Sequence, residues 1–388
     1  MDFDSVIDRH HSDSLKHDGS HGYFGADDVI PMWVADMDFA APQAVTDALV
    51  QRAKHPIYGY TLYPESMYQA MQGWFASRHQ WQIQRNSMMM TPGVVPSIHA
   101  AIMALTDVGD QVVVQPPVYF PFFSAVTATQ RTLVLNPLIN DNGHYRMDFQ
   151  HLEHCAREGA KALILCSPHN PVGRVWKQDE LMQLLAIAQR YNLLIISDEI
   201  HADLVFPDER HIPTATLAEE MAIITTISPS KTFNIPGLGL STIVADDIEH
   251  RKRIEKVFNS WHVSNSNPFS ICAFEAAYRH GETWLDDCCQ YLAENKRLIT
   301  EFCQHHLPTI KVIESQGTYL LWLDCRGLGL ADDYALWRFF IEYAKVGLSP
   351  GNLFGDVGSG FMRMNIASSR TVIQTALENI KRAINTLH

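Results

Sequence analysis

The sequence lacks several patterns that would place it in other classes of protein. Its seven cysteines are odd in number and contain no Cys-x-x-Cys pair, which disfavours a disulfide framework. No uninterrupted apolar run approaches the ~18 residues that a membrane-spanning helix needs. Residues 1–18 are polar and lack the apolar centre of a signal peptide. We therefore expect a cytoplasmic protein with reduced thiols and no membrane partner.

A surplus of positive charge is missing as well. The chain has 30 Lys and Arg against 43 Asp and Glu, a formal net charge of −13. Nucleic acids and anionic membranes reward clustered Lys and Arg, so neither is expected as the main partner. The paired histidines His10-His11 and His305-His306 follow no metal-ligand spacing, so we expect no metal site.

Internal repeats and low-complexity linkers are also absent. The 388 residues exceed what one hydrophobic core usually supports. With 46% hydrophobic residues the chain can fill a sizeable core, so disorder is disfavoured. We predict a large domain at residues 46–284 and a small C-terminal domain at residues 285–388. The segment 1–45 is expected to contribute to the small domain and to the active site.

What is present is an alternation of short β-rich runs with helical segments from about residue 93. This pattern is typical of a mostly parallel sheet covered by helices. In the predicted large domain the strands fall at 111–114, 162–166, 193–197, 223–227 and 241–244, with a helix at 178–191. Further on, long helices are predicted over 267–307, strands at 318–324 and 361–366, and helices at 332–345 and 371–387.

Polar residues follow three of these strands. Asn170, Asp198 and Lys231 each come just after, or at the end of, an apolar run. The carboxyl ends of parallel strands meet at one edge of a sheet, where ligands collect. An amine can hold the aldehyde of pyridoxal phosphate as a Schiff base, and a carboxylate can keep its pyridine nitrogen protonated. Lys231 and Asp198 are therefore candidates for a pyridoxal phosphate site.

The chain resembles the fold-type-I pyridoxal phosphate enzymes, the aspartate aminotransferase superfamily, nearly end to end. Within it, four segments resemble the cystathionine β-lyase branch of the MalY/PatB type: PMWVADMDF at 31–39, YGYT at 58–61, DEIH at 198–201 and SKTFNIPGL at 230–238. The resemblance implies an α/β, aspartate aminotransferase-like fold, with a mostly parallel sheet in the large domain and a smaller α/β C-terminal domain.

The resemblance also implies roles at the cofactor ring. Lys231 would form the internal aldimine and move a proton at the substrate Cα. Asp198 would pair with the pyridine nitrogen, Asn170 would donate to the phenolic oxygen, and Tyr119 would stack on the ring. His201 stands where many aminotransferases have a tyrosine, which leaves its contact with the phenolic oxygen open.

The phosphate of the cofactor would lie at the start of a helix. By resemblance, it is held by backbone amides at Gly93, Val94 and Val95 together with Ser228 and Ser230. A helix N-terminus favours an anion electrostatically.

The resemblance implies contacts for four further residues, and at a fifth position the sequence departs from the superfamily. Tyr58 matches a tyrosine that reaches the phosphate of the neighbouring subunit, which implies a homodimer. Arg363 matches the arginine that binds the substrate carboxylate, with Trp33 and Ala35 also on the substrate side. Many relatives have a phosphate-binding arginine where this sequence has Gly239.

The activity implied is that of a pyridoxal phosphate-dependent C–S β-lyase. It would cleave L-cystathionine or cysteine-like substrates to a thiol, pyruvate and ammonia. An aminotransferase shares every step up to the carbanion and stays an alternative. A regulatory protein that keeps the fold and cofactor is a further one. No second arginine is evident as a partner for a distal substrate carboxylate.

Overall fold

A seven-stranded sheet forms the centre of the computed structural model, which describes residues 2–218, 221–263 and 267–387. Its strands are Met88–Thr91 (β1), Gln111–Val114 (β2), Thr132–Leu135 (β3), Ala162–Cys166 (β4), Leu194–Asp198 (β5), Ile223–Ile227 (β6) and Ser241–Val244 (β7). Their order across the sheet is β1-β7-β6-β5-β4-β2-β3. Only β7 runs antiparallel to its neighbours, so the predicted mostly parallel sheet is confirmed.

Helices cover both faces of this sheet, and further helices pack with the C-terminal part of the chain. Along the chain they are Ser20–Phe24 (α1), Gln43–Ala53 (α2), Glu65–His79 (α3), Val94–Leu105 (α4), Pro121–Ala128 (α5), Phe149–Arg157 (α6), Gln178–Tyr191 (α7), Pro229–Thr232 (α8), Ile248–Trp261 (α9), Pro268–His280 (α10), Glu282–His306 (α11), Asp333–Arg338 (α12) and Arg370–Ile384 (α13). Within the described ranges, no helix is long and apolar enough to cross a membrane.

The alternation of side chains along the strands divides the sheet core into two layers. Val113, Leu163 and Ile195 belong to the apolar cluster that includes the buried faces of α6 and α7. Their chain neighbours belong to a second cluster, which includes buried residues of α4, α5 and α9. Strands buried on both faces need continuous apolar runs, which is the composition that the sequence shows there.

A second, antiparallel sheet lies in the C-terminal part of the chain. It consists of Lys311–Val312 (β8), Leu320–Asp324 (β9), Ser349–Pro350 (β10) and Phe361–Asn365 (β11), in the order β8-β9-β11-β10. Together with α3, α10, α11 and α13 it contributes to the largest apolar cluster. Two short pairs complete the strands: Ile30–Pro31 with Val346–Gly347, and Ile139–Asp141 with His144–Arg146.

The N-terminal residues lie against this C-terminal sheet. Residues 33–39, called the strap below, run past β11, where Asn365 Nδ2 donates to the carbonyls of Val34 and Asp36 at 2.6 Å each. From the other side, Asn234 Nδ2 donates to the carbonyls of Met37 and Phe39. The domain boundaries and the role expected for residues 1–45 stay predictions.

Several predicted elements differ in detail from the structure. The strand expected at 193–197 is Leu194–Asp198, so the acid occupies the last strand position, opposite Cys166 of β4. The strand expected from residue 318 begins at Leu320, because Thr318 has a positive φ of 64°. The helix expected at 332–345 is α12 followed by a π-helical turn, Phe339–Tyr343, in which three consecutive residues are buried.

We predict that Asn365→Ala lowers the free energy of unfolding by about 2–4 kcal/mol, because two partly buried strap carbonyls lose their donor. The side chain also accepts from Ala367 N, a third lost bond. Urea unfolding measures the difference. Asn259→Ala, on the exposed surface of α9, is the matched control and should change stability by less than about 0.5 kcal/mol. Equal effects of the two variants would contradict the role given to Asn365.

Candidate active site

A cavity of about 250 Å³ opens at the carboxyl ends of β4, β5 and β6, beside the turn between β1 and α4. Its lining includes Ala35 and every predicted cofactor residue except Tyr58: Gly93, Val94, Val95, Tyr119, Asn170, Asp198, His201, Ser228, Ser230 and Lys231. An amine, an acid, an amide and an aromatic ring from separate segments therefore share one space, as expected for the carboxyl edge of a parallel sheet.

Lys231 lies in the short helix α8, which begins directly after β6. Its Nζ donates to the carbonyl oxygen of Ala35 in the strap at 2.6 Å. Burial lowers the pKa of the amine to about 8, and the positive charge of Arg363 acts in the same direction, whereas Asp36 and Asp198 oppose the shift. A substantial fraction of the amine is therefore neutral, and able to accept a proton, near physiological pH.

Asp198 ends β5 with its carboxylate at the cavity. The group is 4% exposed and accepts a hydrogen bond from Ile200 N at 3.1 Å. Burial raises the pKa of the Asp198 carboxyl to about 7, and the charge of Glu199 adds to the rise. Glu199 itself turns away from the cavity and pairs with His211 at 2.9 Å. A buried acid of this kind is suited to a cationic N–H donor supplied by a ligand.

Arg363 is a buried guanidinium whose protein acceptors are all neutral. Its Nη2 donates to the carbonyl of Trp33 at 2.8 Å, and its Nη1 donates to Asn170 Oδ1 at 3.2 Å. Its Nε has no hydrogen-bond partner, and burial lowers its pKa to about 10. Among the residues that the structure describes, no carboxylate forms an ion pair with it. A substrate carboxylate would supply the negatively charged hydrogen-bond acceptor that this guanidinium lacks within the described residues.

His201 and Tyr119 add two ring systems to the cavity wall. His201 is 3% exposed, and its Nδ1 has no hydrogen-bond partner. Burial lowers the pKa of this imidazole to about 3, with the charges of Lys231 and Arg363 adding to the shift, so the ring is neutral. Burial likewise raises the pKa of Tyr119. A role for His201 at the phenolic oxygen stays a prediction.

The predicted phosphate end consists of backbone amides and hydroxyls. Helix α4 begins at Val94, and no side chain caps its first turn at Gly93. The Ser228 hydroxyl accepts from Ser230 N at 3.1 Å and lies 2.9 Å from Leu240 O, so part of its bonding capacity is used within the protein. Free N–H groups at a helix start are suited to an anion.

The departure at Gly239 has a conformational reason. Gly239 ends a 3₁₀ turn, Pro236–Leu238, with a positive φ of 43°, and it lines the cavity. This backbone conformation favours glycine. Within the described part of the cavity lining, Lys231 is the single cation, so the amides and hydroxyls described above remain the candidates for binding a phosphate.

Three predicted site residues lie outside the cavity lining: Arg363, described above, Tyr58 and Trp33. Tyr58 is 57% exposed, and its hydroxyl donates to the carbonyl of Ala53 on the surface. The Trp33 indole stacks on Tyr23 with 4.1 Å between ring centroids, and its Nε1 donates to Lys16 O. The link between Trp33 and the site is its backbone carbonyl, which accepts from Arg363.

Some residues that build the site were not singled out by the sequence patterns. Asn365 could have been, because it lies two positions after Arg363 and therefore on the same face of β11. Asn234 follows Lys231 by three positions within the motif at 230–238 but carried no expected role. Cys166 lines the cavity, and its Sγ accepts from Asn170 N. No sequence periodicity indicates such a contact.

The residues present fit pyridoxal phosphate. An uncapped helix start is available for an anion, a buried acid without an ion-pair partner for a pyridine nitrogen, and a buried amine for an aldehyde. The unpartnered Nδ1 of His201 leaves a further polar atom at the cavity for a ligand. This fold and site define the class of pyridoxal phosphate-type enzymes built on an open α/β sheet.

The chain belongs to the family of class I and II aminotransferases, whose family model matches residues 27–380. It is 39% identical over 388 residues to cystathionine β-lyase PatB of Bacillus subtilis, covering 99% of this chain and 100% of that protein. The solved structure of cystalysin from Treponema denticola, which contains pyridoxal 5′-phosphate, has a TM-score of 0.95 and 36% identity, covering 100% of this chain and 99% of that one.

A second solved structure is similarly close. It is a pyridoxal phosphate-bound protein from Clostridium difficile 630, provisionally described as an aminotransferase. Its TM-score is 0.96 at 40% identity, with 99% of each chain covered. These likenesses confirm the expected α/β, aspartate aminotransferase-like fold and the family named from the sequence motifs.

We predict that Asp198→Asn makes the cofactor-free protein more stable at pH 8 by about 1–3 kcal/mol. The folded state raises the pKa of this acid from 3.8 to about 7, so ionisation costs the folded state free energy. That cost is absent below the unfolded pKa, grows as pH rises, and is complete above the folded pKa. The gain should therefore vanish near pH 4.

Urea unfolding of the cofactor-free protein at several pH values measures this gain. Asp208→Asn, at an exposed position, is the control and should leave stability unchanged across the same range. A gain for Asp198→Asn that does not depend on pH would contradict the explanation.

Proposed function

We propose that this protein is a pyridoxal phosphate-dependent carbon–sulfur β-lyase of the cystathionine β-lyase type. It cleaves L-cystathionine or a cysteine-like amino acid to a thiol, pyruvate and ammonia. The observation that carries the proposal is the 39% identity to cystathionine β-lyase PatB, which extends over the whole of that protein. The cavity supports it with an amine and an acid, and the guanidinium of Arg363 donates to the cavity residue Asn170 at 3.2 Å.

Four residues of the chain hold and orient the cofactor in this proposal. Asp198 keeps a proton at the pyridine nitrogen, Asn170 donates to the phenolic oxygen, and Tyr119 covers the ring. When bound, the cofactor supplies an aldehyde for the amino group of the substrate and a ring that takes up the electron pair left at Cα. Lys231 provides the amine that binds the aldehyde before substrate arrives.

Substrate binding rests on Arg363. Its guanidinium donates to the substrate carboxylate through the N–H groups whose present protein partners are neutral, and through Nε, which has no partner among the described residues. The carboxylate thereby places Cα near Lys231, whose neutral amine takes the Cα proton. As the Cα–Cβ double bond forms, the Cβ–S bond breaks and its electrons leave with sulfur as a thiolate. The released aminoacrylate hydrolyses to pyruvate and ammonia.

An aminotransferase is the second candidate, and one observation favours it. The Clostridium difficile structure, at 40% identity and a TM-score of 0.96, is provisionally described as that kind of enzyme. The two reactions use the same residues up to the removal of the Cα proton. They differ in whether the electrons expel a group from Cβ or the cofactor is protonated instead, so the products decide between them.

We also propose a homodimer in which Tyr58 reaches the phosphate of the neighbouring subunit. Tyr58 lies on the surface, outside the cavity of its own chain. Nearby Ile57, Tyr60 and Leu62 are also exposed, with Tyr60 fully open to solvent. A contiguous apolar patch of this kind is characteristic of a subunit interface.

We place the enzyme in the cytoplasm, since all seven cysteines are free thiols.

We predict that the cofactor-loaded protein releases pyruvate and free thiol in equal amounts from L-cystathionine without any keto acid. Lys231→Ala should lower this rate by a factor of about 10²–10⁴ or more, because the base at Cα is lost. Coupled assays of pyruvate and thiol measure both products. Exchange of amino groups with an added keto acid, without thiol release, would instead establish the aminotransferase.

We predict that Tyr58 acts on the partner's site, which mixed dimers can test. Differently tagged Lys231→Ala and Tyr58→Ala chains are co-expressed, and the heterodimer is isolated. If Tyr58 acts across the interface, one site carries both defects and the other none, so about half of the normal activity returns. If it acts within its own chain, both sites stay defective and the heterodimer remains inactive.

A further inference from the structure

A second acid acts on Lys231 besides Asp198. The Lys231 amine donates to the carbonyl of Ala35 at 2.6 Å, and the next residue of the strap is Asp36. The negative charge of Asp36 favours the protonated amine and ranks directly after burial among the influences on its pKa. Tyr319 also donates to the Ala35 carbonyl, and the negative charge of Asp36 contributes to the raised pKa of its hydroxyl. Asp36 thus lies within electrostatic reach of the amine.

The carboxylate of Asp36 is fixed in place by Arg9. Arg9 Nη2 lies 2.8 Å from Asp36 Oδ2, and its Nη1 lies 3.2 Å from Asp36 Oδ1, a two-pronged contact. The same guanidinium binds Asp38 Oδ1 at 2.9 Å. On the backbone side, the Asp36 carbonyl accepts from Asn365. The Asp36 side chain is only 17% exposed, so solvent screens its charge poorly.

The other charges that face Lys231 receive partners from the ligands. In the proposed function the acid Asp198 pairs with the pyridine nitrogen, and Arg363 pairs with the substrate carboxylate. His201 is neutral, because its pKa is about 3. Among the residues that the structure describes, the Asp36–Arg9 pair is therefore the set of charges near Lys231 that no ligand pairs with when both ligands are bound.

Two tyrosine hydroxyls around the amine contribute no charge. Burial raises the pKa of Tyr119, and it raises the pKa of Tyr319 well above the ordinary value, so both are uncharged at neutral pH. They can donate or accept a hydrogen bond but add no counter-charge to the lysine.

We propose that Asp36, held by Arg9, is a positioning residue that sets the proton affinity of Lys231. The carboxylate stabilises the ammonium that Lys231 becomes on taking the Cα proton. Arg9 offsets part of this attraction, so that a fraction of the amine is neutral before the proton is taken. The proposal rests on the proposed function only in giving Lys231 the Cα proton.

The first test measures the amine in the cofactor-free protein. Trace labelling with acetic anhydride across a pH series, followed by peptide mass analysis, gives the midpoint at which Lys231 becomes reactive. Asp36→Asn should lower this midpoint, and Arg9→Gln should raise it, each by about one pH unit. The double variant should have a midpoint near that of the unaltered protein, since the two charges act on the amine in opposite directions.

Controls separate this effect from loss of structure. Arg9→Lys keeps a positive charge and should return the midpoint close to that of the unaltered protein. Lys256, exposed on α9, should show the same midpoint in every variant. Shifts in the same direction for Asp36→Asn and Arg9→Gln, or no shift in either, would overturn the proposal. Either variant alone decides it if the other does not fold.

The second test uses the loaded enzyme. Asp36→Asn should move the acid limb of the kcat profile to lower pH and reduce kcat several-fold, with KM nearly unchanged, because a weaker base acts on the same bound substrate. A change confined to KM would contradict the proposal. Failure of the step on which this rests, the role of Lys231 in the proposed function, is recognised separately, since borohydride would then attach the cofactor to a different lysine, whatever the labelling shows. Failure of the lyase activity alone shows as exchange of amino groups without thiol release and leaves the labelling result unchanged.

Discussion

Desolvation of charges that lack an ion-pair partner, in and beside one cavity, is the constraint on which this structure depends. Lys231, Asp198 and Arg363 are each removed from water, and burial displaces the pKa of each towards its neutral form. Left alone, such groups destabilise a fold. The protein tolerates them because each has a place for an incoming partner. In the proposed function, cofactor and substrate are bound by groups whose charges the protein alone leaves incompletely compensated.

Two rigid supports hold these groups at fixed separations. The parallel strands deliver Asp198 and Lys231 to one edge, and their pairing in register sets the spacing between β5 and β6. The strap supplies the opposite wall with backbone carbonyls, at Ala35 for the lysine and at Trp33 for the arginine. Asn365 and Asn234 hold the strap from opposite sides through hydrogen bonds to its backbone carbonyls. Small displacements of the strap would therefore change both the base and the carboxylate site.

Much of this arrangement follows from local sequence features. Apolar runs ending in polar residues indicated the strands and the edge where Asn170, Asp198 and Lys231 meet. The parts that sequence could not supply depend on long-range contacts. The Arg9–Asp36 contact joins residues 27 positions apart in an irregular segment, where no periodicity exists. The π-helical turn after α12 depends on burying consecutive side chains, which local helix propensity does not register. Tyr58 lies outside its own chain's cavity, so its proposed role depends on a second subunit.

The antiparallel strand β7 has a consequence for how the lysine segment moves. Strand β6 carries the chain up to the ligand edge, and β7 takes it back down between β6 and β1, with Thr242 opposite Ile227. The loop that bears Lys231 is therefore anchored at both ends within the interior of the sheet. Such a loop cannot detach by fraying, as an edge segment can. The Lys231 amine therefore keeps its place until the sheet itself opens.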